Sequence, residues 1–163
     1  VRLFSFLIDK DQVKVTMDNG SSKSEIEIPP SEDFDLKSIQ KTTAPDFEDM
    51  TEKFVDVPLI KVAYGRSGDK GNKANIGIIS RDPKFYPSIC NFLDEKVVKD
   101  CFADFLEGSV ERYFLPGSNS INFILNDVLG GGGPASLRND PQGKAYAQIL
   151  LDQMIPIPEK LLS

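Results

Sequence analysis

Short runs in which apolar and polar residues alternate open and close the first half of this chain, and helical spacing sets in only after Pro83. Arg2 to Ile8 and Gln12 to Met17 are rich in β-branched and aromatic residues and flank the polar Asp9–Asp11, while Ser24 to Ile28 alternates after the Asn19-Gly20 turn signal. This predicts a three-stranded β-meander over residues 1–28. Its apolar residues, Phe4, Phe6, Val13, Val15, Ile26 and Ile28, are too few to bury much alone, so the meander must pack on something else. From Pro29 to Asp56 the alternation fails, acidic residues accumulate and apolar ones stand singly. That composition predicts an irregular acidic linker over 29–56, pinned at intervals by Phe34, Leu36, Ile39, Phe47 and Phe54. A domain boundary is expected here, with the main domain spanning 57–163.

Val57 to Tyr64 reads as a strand, and Ala74 to Ser80 as another that is apolar on both faces through Ile76, Ile78 and Ile79, which implies an interior position. Arg81-Asp82-Pro83 ends it. Pro87 to Phe92 predicts a short helix, and Asp94 is placed to N-cap a second one carrying Val97, Val98, Cys101, Phe102 and Phe105, stopped by Gly108. Val110 to Leu115 reads as a strand closed by Pro116-Gly117. Ile121, Ile124, Leu125 and Val128 then fit one face of a helix from Ser118 or Asn119 to Gly130, whose other face carries Asn119, Asn122 and Asn126. Asp140-Pro141 starts a last helix through Met154, and Ile155 to Ile157, with Pro156 and Pro158 about it, suits an edge strand.

Composition narrows the classes of function. A net charge of −6 argues against general binding to nucleic acid or anionic membrane, both of which need clustered Lys and Arg. No apolar run approaches the length of a membrane span, and no signal-peptide pattern opens the chain. With no histidine, the chain lacks Ser-His-Asp and Cys-His catalysis and the usual zinc sites. Cys90 and Cys101 lie in helical patterns without ligand-type neighbours and read as free thiols, which suits a reducing compartment: the cytoplasm, or an organellar matrix. No cofactor or metal is expected. The chain opens on Val1 inside a strand-like run, from which an upstream domain is expected.

Two stretches carry more chemistry than their neighbours. Arg66 to Gly77 reads R-S-G-D-K-G-N-K-A-N-I-G, and its first eight positions suggest a loop longer than a two-residue turn between strands. Gly68 and Gly71 permit positive φ and close approach to a ligand; Ser67, Asp69, Asn72 and Asn75 offer hydroxyl, carboxylate and amide groups, and Lys70 and Lys73 add charge. An ordinary solvated hairpin loop has the same composition. The second stretch is Gly130 to Gly133 followed by Pro134-Ala135-Ser136-Leu137-Arg138. One glycine suffices to cap a helix, so Gly131, Gly132 and Gly133 need another reason, such as several positive φ angles or close backbone approach to a ligand. The run is neither a dinucleotide fingerprint nor a phosphate loop. Arg138 suits a bidentate grip on a carboxylate or phosphate, although pairing with Asp140 is the plainer alternative. Asp69 as general acid or base, with Lys70 beside it, is the one catalytic pair on offer.

These same stretches carry a family resemblance. S-G-D-K-G-N-K-A-N-I-G at 67–77, V-E-R-Y-F-L-P at 110–116, I-N-F-I-L at 121–125 and G-G-G-G-P-A-S-L-R-N-D-P-Q-G-K at 130–144 resemble, in order and spacing, the C-terminal domain of the acyclic terpene utilisation (AtuA-like) family. The segment before Pro58 carries none of these motifs. The resemblance implies an α+β fold, a ferredoxin-like α/β sandwich over about residues 57–158, which normally follows a larger α/β domain or is made as its separate small partner. It also implies a place in the breakdown of acyclic terpenoids through CoA thioesters, with a CoA thioester as possible substrate or ligand. In such a sheet the two stretches can lie on one edge, where Ser67, Gly68, Asp69, Lys70, Gly71, Asn72 and Asn75, with Asn122, Asn126, Gly131, Gly132, Gly133, Ser136 and Arg138, would form a concave anion site. Two other roles remain open at this point: a stand-alone hydratase or lyase type of enzyme, and a structural module that makes a homo-oligomer.

Overall fold

The computed structural model describes residues 6–29, 34–47 and 53–163. Its contacts divide into two units, Leu3–Gln40 and Lys41–Ser163. In the first, β1 (Val15–Asp18) pairs antiparallel with β2 (Lys23–Ile26) in the register Val15↔Ile26 to Asp18↔Lys23. The turn is held by side chains: Asn19 Oδ1 accepts from the Ser21 and Ser22 amides and Asp18 Oδ1 from Gly20, whose φ is 86°. The expected three-stranded meander is a two-stranded ribbon. Residues 6–9 form no strand, Lys10–Gln12 is a 3-10 turn, and the remainder of the expected first strand lies outside the described residues. Val15, Met17 and Ile26 stay exposed, since two strands enclose no interior.

In the second unit, β3 (Phe54–Pro58) pairs, among the described residues, only with β8 (Met154–Pro158), antiparallel. The main sheet contains β4 (Ala63–Lys70), β5 (Lys73–Ser80), β6 (Val110–Leu115) and β7 (Ser120–Leu125) in the order β4-β5-β7-β6, every pair antiparallel. Between β5 and β6 run α1 (Tyr86–Phe92) and α2 (Glu95–Cys101), and α3 (Tyr146–Leu151) follows β7. Strand β7 lies between β5 and β6, which gives the split β-α-β connection of a ferredoxin-like fold. The outer strand that such a fold usually forms last, β4, comes first here, so the chain after α3 is left to build β8 on β3.

Alternation along each strand separates the two faces of the sheet. Ala74, Ile76 and Ile78 of β5 and Ile121, Phe123 and Leu125 of β7 are fully buried, and they meet Tyr146, Ala147, Leu150 and Leu151 of α3 with Ile89, Cys90, Val98 and Phe102 in one core. Gly65 lets α3 approach β4, because a Cβ there would sit 3.1 Å from both Ile78 and Leu151. Asp94 caps α2 as expected, accepting from the Val97 amide at 2.8 Å. Within the expected linker, Phe47 packs against Phe54 and Phe92 at 6.4 and 5.3 Å, while Phe34 and Ile39 are exposed; residues 54–56 already belong to β3.

Four sequence expectations are corrected. Residues 119–130 form not a helix but β7 and a turn: Asn119 at φ 47° turns the chain back on β6, and burial at Ile121, Phe123 and Leu125 has period two. Val57–Tyr64 breaks at a 3-10 turn, Leu59–Lys61, because β3 and β4 belong to different sheets. Ile79 is exposed, so β5 is interior in the sheet yet covered on one face only. The last helix starts at Tyr146, since Asp140 caps an earlier turn through the Lys144 and Ala145 amides and Gly143 takes φ 60°.

Both cysteines are free, with Cys90 buried and Cys101 half-buried. Burial pushes the Cys90 thiol from an ordinary 9.0 up to about 11, against hydrogen bonding with Tyr86 and the Arg112 charge, which pull it down. The unfolded chain therefore releases this proton at lower pH than the native one. Its contribution to stability is full below pH 9.0 and lost as pH rises toward 11. Urea midpoints taken at neutral and at alkaline pH should fall further for the wild type than for Cys90→Ala; equal falls would remove the thiol from the alkaline response.

Candidate functional site

The stretch expected to be a long loop is a hairpin with a two-residue turn. Lys70 pairs with Lys73, leaving Gly71, at φ 69°, and Asn72 to reverse the chain. The remaining motif residues are therefore strand residues and part company. Ser67 lies on the helical face, 6% exposed, where its hydroxyl donates to the Lys144 carbonyl at 3.1 Å and accepts from the Ala147 amide at 2.9 Å. It ties β4 to the start of α3. Asp69 shares that face by register, whereas Gly68 and Lys70 alternate onto the other, where Lys70 Nζ donates to Asn75 Oδ1 at 3.3 Å and to the Asp69 carbonyl at 2.9 Å. As strand neighbours, Asp69 and Lys70 send their side chains to opposite faces.

Asn72 joins the two stretches. Its Oδ1 accepts from the Gly131 amide at 2.7 Å, its Nδ2 donates to Asp127 at 3.0 Å, and its carbonyl accepts from the Val128 amide at 3.1 Å. Gly132 is buried against Gly71, so tightly that a Cβ would fall 2.1 Å from the Gly71 carbonyl oxygen. All four glycines have positive φ, 60°, 97°, 72° and 46° in order, a path that residues with a Cβ follow only under strain. Backbone conformation accounts for the glycine run, and the Gly131 and Gly132 amides bond within the protein, to Asn72 and Leu129.

The asparagines expected on one helix face are dispersed. Asn122 accepts from Asn75 Nδ2 at 3.2 Å on the sheet, and Asn126 donates to Ser109 and to Glu111, holding the end of β7 to β6. Hydrogen bonds from Tyr113 and Asn126 hold the Glu111 carboxyl below its ordinary range.

Beyond the glycines the chain turns at Gly133–Ala135, Ser136 Oγ accepts from the Arg138 amide, and Arg138 reaches back to donate through Nη2 to the Phe105 carbonyl at 3.1 Å, its guanidinium 5.1 Å from that ring's centre. Its Nε is buried and finds no hydrogen-bond partner among the described residues. Asp140 does not take the role of its partner; both carboxylate oxygens accept from backbone amides. An open cleft of about 400 Å³ results, lined by Phe105, Leu137, Arg138, Asn139, Asp140 and Tyr146. The Phe105 and Tyr146 rings pack with centres 5.4 Å apart and planes tilted by 48°, and Leu137 is wholly exposed. Burial pushes the Tyr146 phenol above its ordinary pKa, with Arg138 pulling it down and Asp140 up. Sequence reasoning missed Phe105 and Tyr146 as site residues, since each reads as core by helical spacing. Among the described residues no three acidic or cysteine side chains gather as a metal site, and no helix is long and apolar enough to cross a membrane.

Sheet topology and the joined glycine stretches define a ferredoxin-like α+β domain with an open cleft beside its glycine loop. Residues 57–156 match the family described as the AtuA ferredoxin-like domain, and the chain belongs to that family. No curated protein matches the chain, and no solved structure does.

Proposed function

We propose that this domain binds an anionic ligand with an apolar chain at the Arg138 cleft and there completes the site of a larger α/β domain or subunit. The observation that carries this reading is the cleft itself, a guanidinium beside two packed aromatic rings with a fully exposed leucine at its rim. A guanidinium has five N–H donors suited to carboxylate or phosphate, and among the described residues this one makes a single hydrogen bond, to Phe105. Exposed apolar surface beside such a group favours an amphiphile over a bare anion. The family resemblance supplies the candidate class, branched acyl-CoA thioesters of acyclic terpenoid catabolism.

Calorimetric titration with geranyl-CoA, CoA and phosphate tests it, in a protein that includes the larger domain. Heat with geranyl-CoA is expected, and none with any of the three would overturn the reading. Leu137→Asp should weaken binding about tenfold, the equivalent of about 1.4 kcal/mol, without moving the melting temperature, because an exposed side chain carries no packing. Arg138→Ala should weaken binding and also lower stability by about 1–2 kcal/mol, since it frees the Phe105 carbonyl.

A further inference from the structure

All three helices pack on one face of the main sheet; the other face exposes Tyr64, Ile79, Tyr113 and Leu115, each between 42% and 56%. Strand order and register arrange this face in rows. Tyr64, Ile79, Ser120 and Leu115 form one row; Arg66, Gly77, Asn122 and Tyr113 the next; Gly68, Asn75, Ile124 and Glu111 the third; Lys70 and Lys73 stand at the turn. Scattered apolar residues on a surface need no explanation, but four large ones on the sheet face away from the helices do, even with the Arg81 guanidinium 3.8 Å from the centre of the Tyr64 ring.

We infer that a second copy of this chain covers this face, related by a two-fold axis parallel to the strands between β5 and β7. That rotation lays β4 of one copy over β6 of the other, each row on its own counterpart. Tyr64 then meets Leu115 of the second copy. Arg66 comes over the Tyr113 ring, a favourable cation–π arrangement, and Lys70 with Lys73 approaches Glu111. Each of these three contacts occurs twice, while the inner counterparts, Ile79 with Ser120 and Asn75 with Ile124, are neutral. Gly77 keeps the middle of the face low enough for close approach, while Gly68, on the edge strand, is buried with the Lys144 ammonium against it. The rim of β6 is less open to strand addition, because the Thr42 hydroxyl donates to the Phe114 carbonyl there.

At about 4.8 Å between strands and 3.3 Å per residue, the face measures roughly 500 Å² per copy, under the ~800 Å² of a standard interface. The pair is therefore expected to dissociate reversibly on dilution through the micromolar range. Analytical ultracentrifugation of the wild type should show a monomer–dimer equilibrium, with Ile79→Glu and Tyr64→Glu each weakening it at least tenfold while melting as the wild type does. The charge pairing has its own test. Glu111→Lys alone and Lys70→Glu/Lys73→Glu alone should each be monomeric, whereas an equimolar mixture restores a dimer, because both symmetric contacts are again of opposite sign. A strict monomer up to about a hundred micromolar would overturn the inference, as would a dimer indifferent to the face variants or a mixture that stays monomeric. Association of the wild type with the larger domain or with a single-stranded oligonucleotide, competed by the same face variants while the chain alone stays monomeric, would assign the face to that other occupant.

Discussion

Alanine at Gly132 is expected to lower stability by about 3 kcal/mol or more, whereas alanine at the adjacent Gly133 should cost only about 1–2 kcal/mol. Both positions have positive φ, 72° and 46°, so strain of the left-handed conformation is common to them. They differ in what a Cβ meets. At Gly133 nothing lies within 4 Å; at Gly132 the added carbon would fall 2.1 Å from the Gly71 oxygen and 2.5 Å from its carbonyl carbon, backbone atoms that cannot rotate aside. The glycine loop has to lift from the β4–β5 turn, and with it go the bonds that Asn72 makes to Gly131 and Val128. Urea denaturation of the two variants checks this. Equal losses would show that the two stretches do not depend on one another. The cleft should follow the same pattern, since residues 130–138 carry Leu137 and Arg138 into it.

Arg112→Met should cost about 3 kcal/mol, although the replacement keeps most of the apolar stem. Nη1 donates to the Cys90 and Leu93 carbonyls at 2.9 and 3.0 Å, at the end of α1, and Nε lies 3.1 Å from a Glu95 oxygen at the start of α2. One guanidinium thus joins β6 to the junction of both helices. Methionine leaves two carbonyls and part of a carboxylate without their cation, and hydrogen bonds to charged groups are worth about 1.5–3 kcal/mol each. Glu95→Gln should cost no more than about 1 kcal/mol, because the Glu95 side chain is 45% exposed and water replaces much of the pairing. A loss under about 1 kcal/mol for Arg112→Met in a chemical melt would mean that α1 and α2 are held by the apolar core alone.

What the sequence by itself determined is what a few neighbouring residues decide. The Asp94 cap, the end of β5 before Asp82-Pro83, strand Val110–Leu115 and the positive φ of the glycine run all follow from caps, alternation and the missing Cβ, whose causes lie within a turn of the residue concerned. The motif wording was legible as well, and with it the family. Residues 119–130 fit both periods over so short a run, the helical one through Ile121, Ile124, Leu125 and Val128 and the strand one through Ile121, Phe123 and Leu125; the choice fell to pairing with β5 and β6, which the run itself does not contain. The site divides in the same way. Ser67 and Asn72 look like ligand contacts in the sequence, yet their partners lie 77 and 59 residues away, at Lys144 and Gly131, and they hold the fold together. Only the tertiary structure decided which polar groups were spent on the protein and which face of the sheet was left open, because hydrogen-bond partners and helix cover come from parts of the chain that meet through packing and not through sequence proximity.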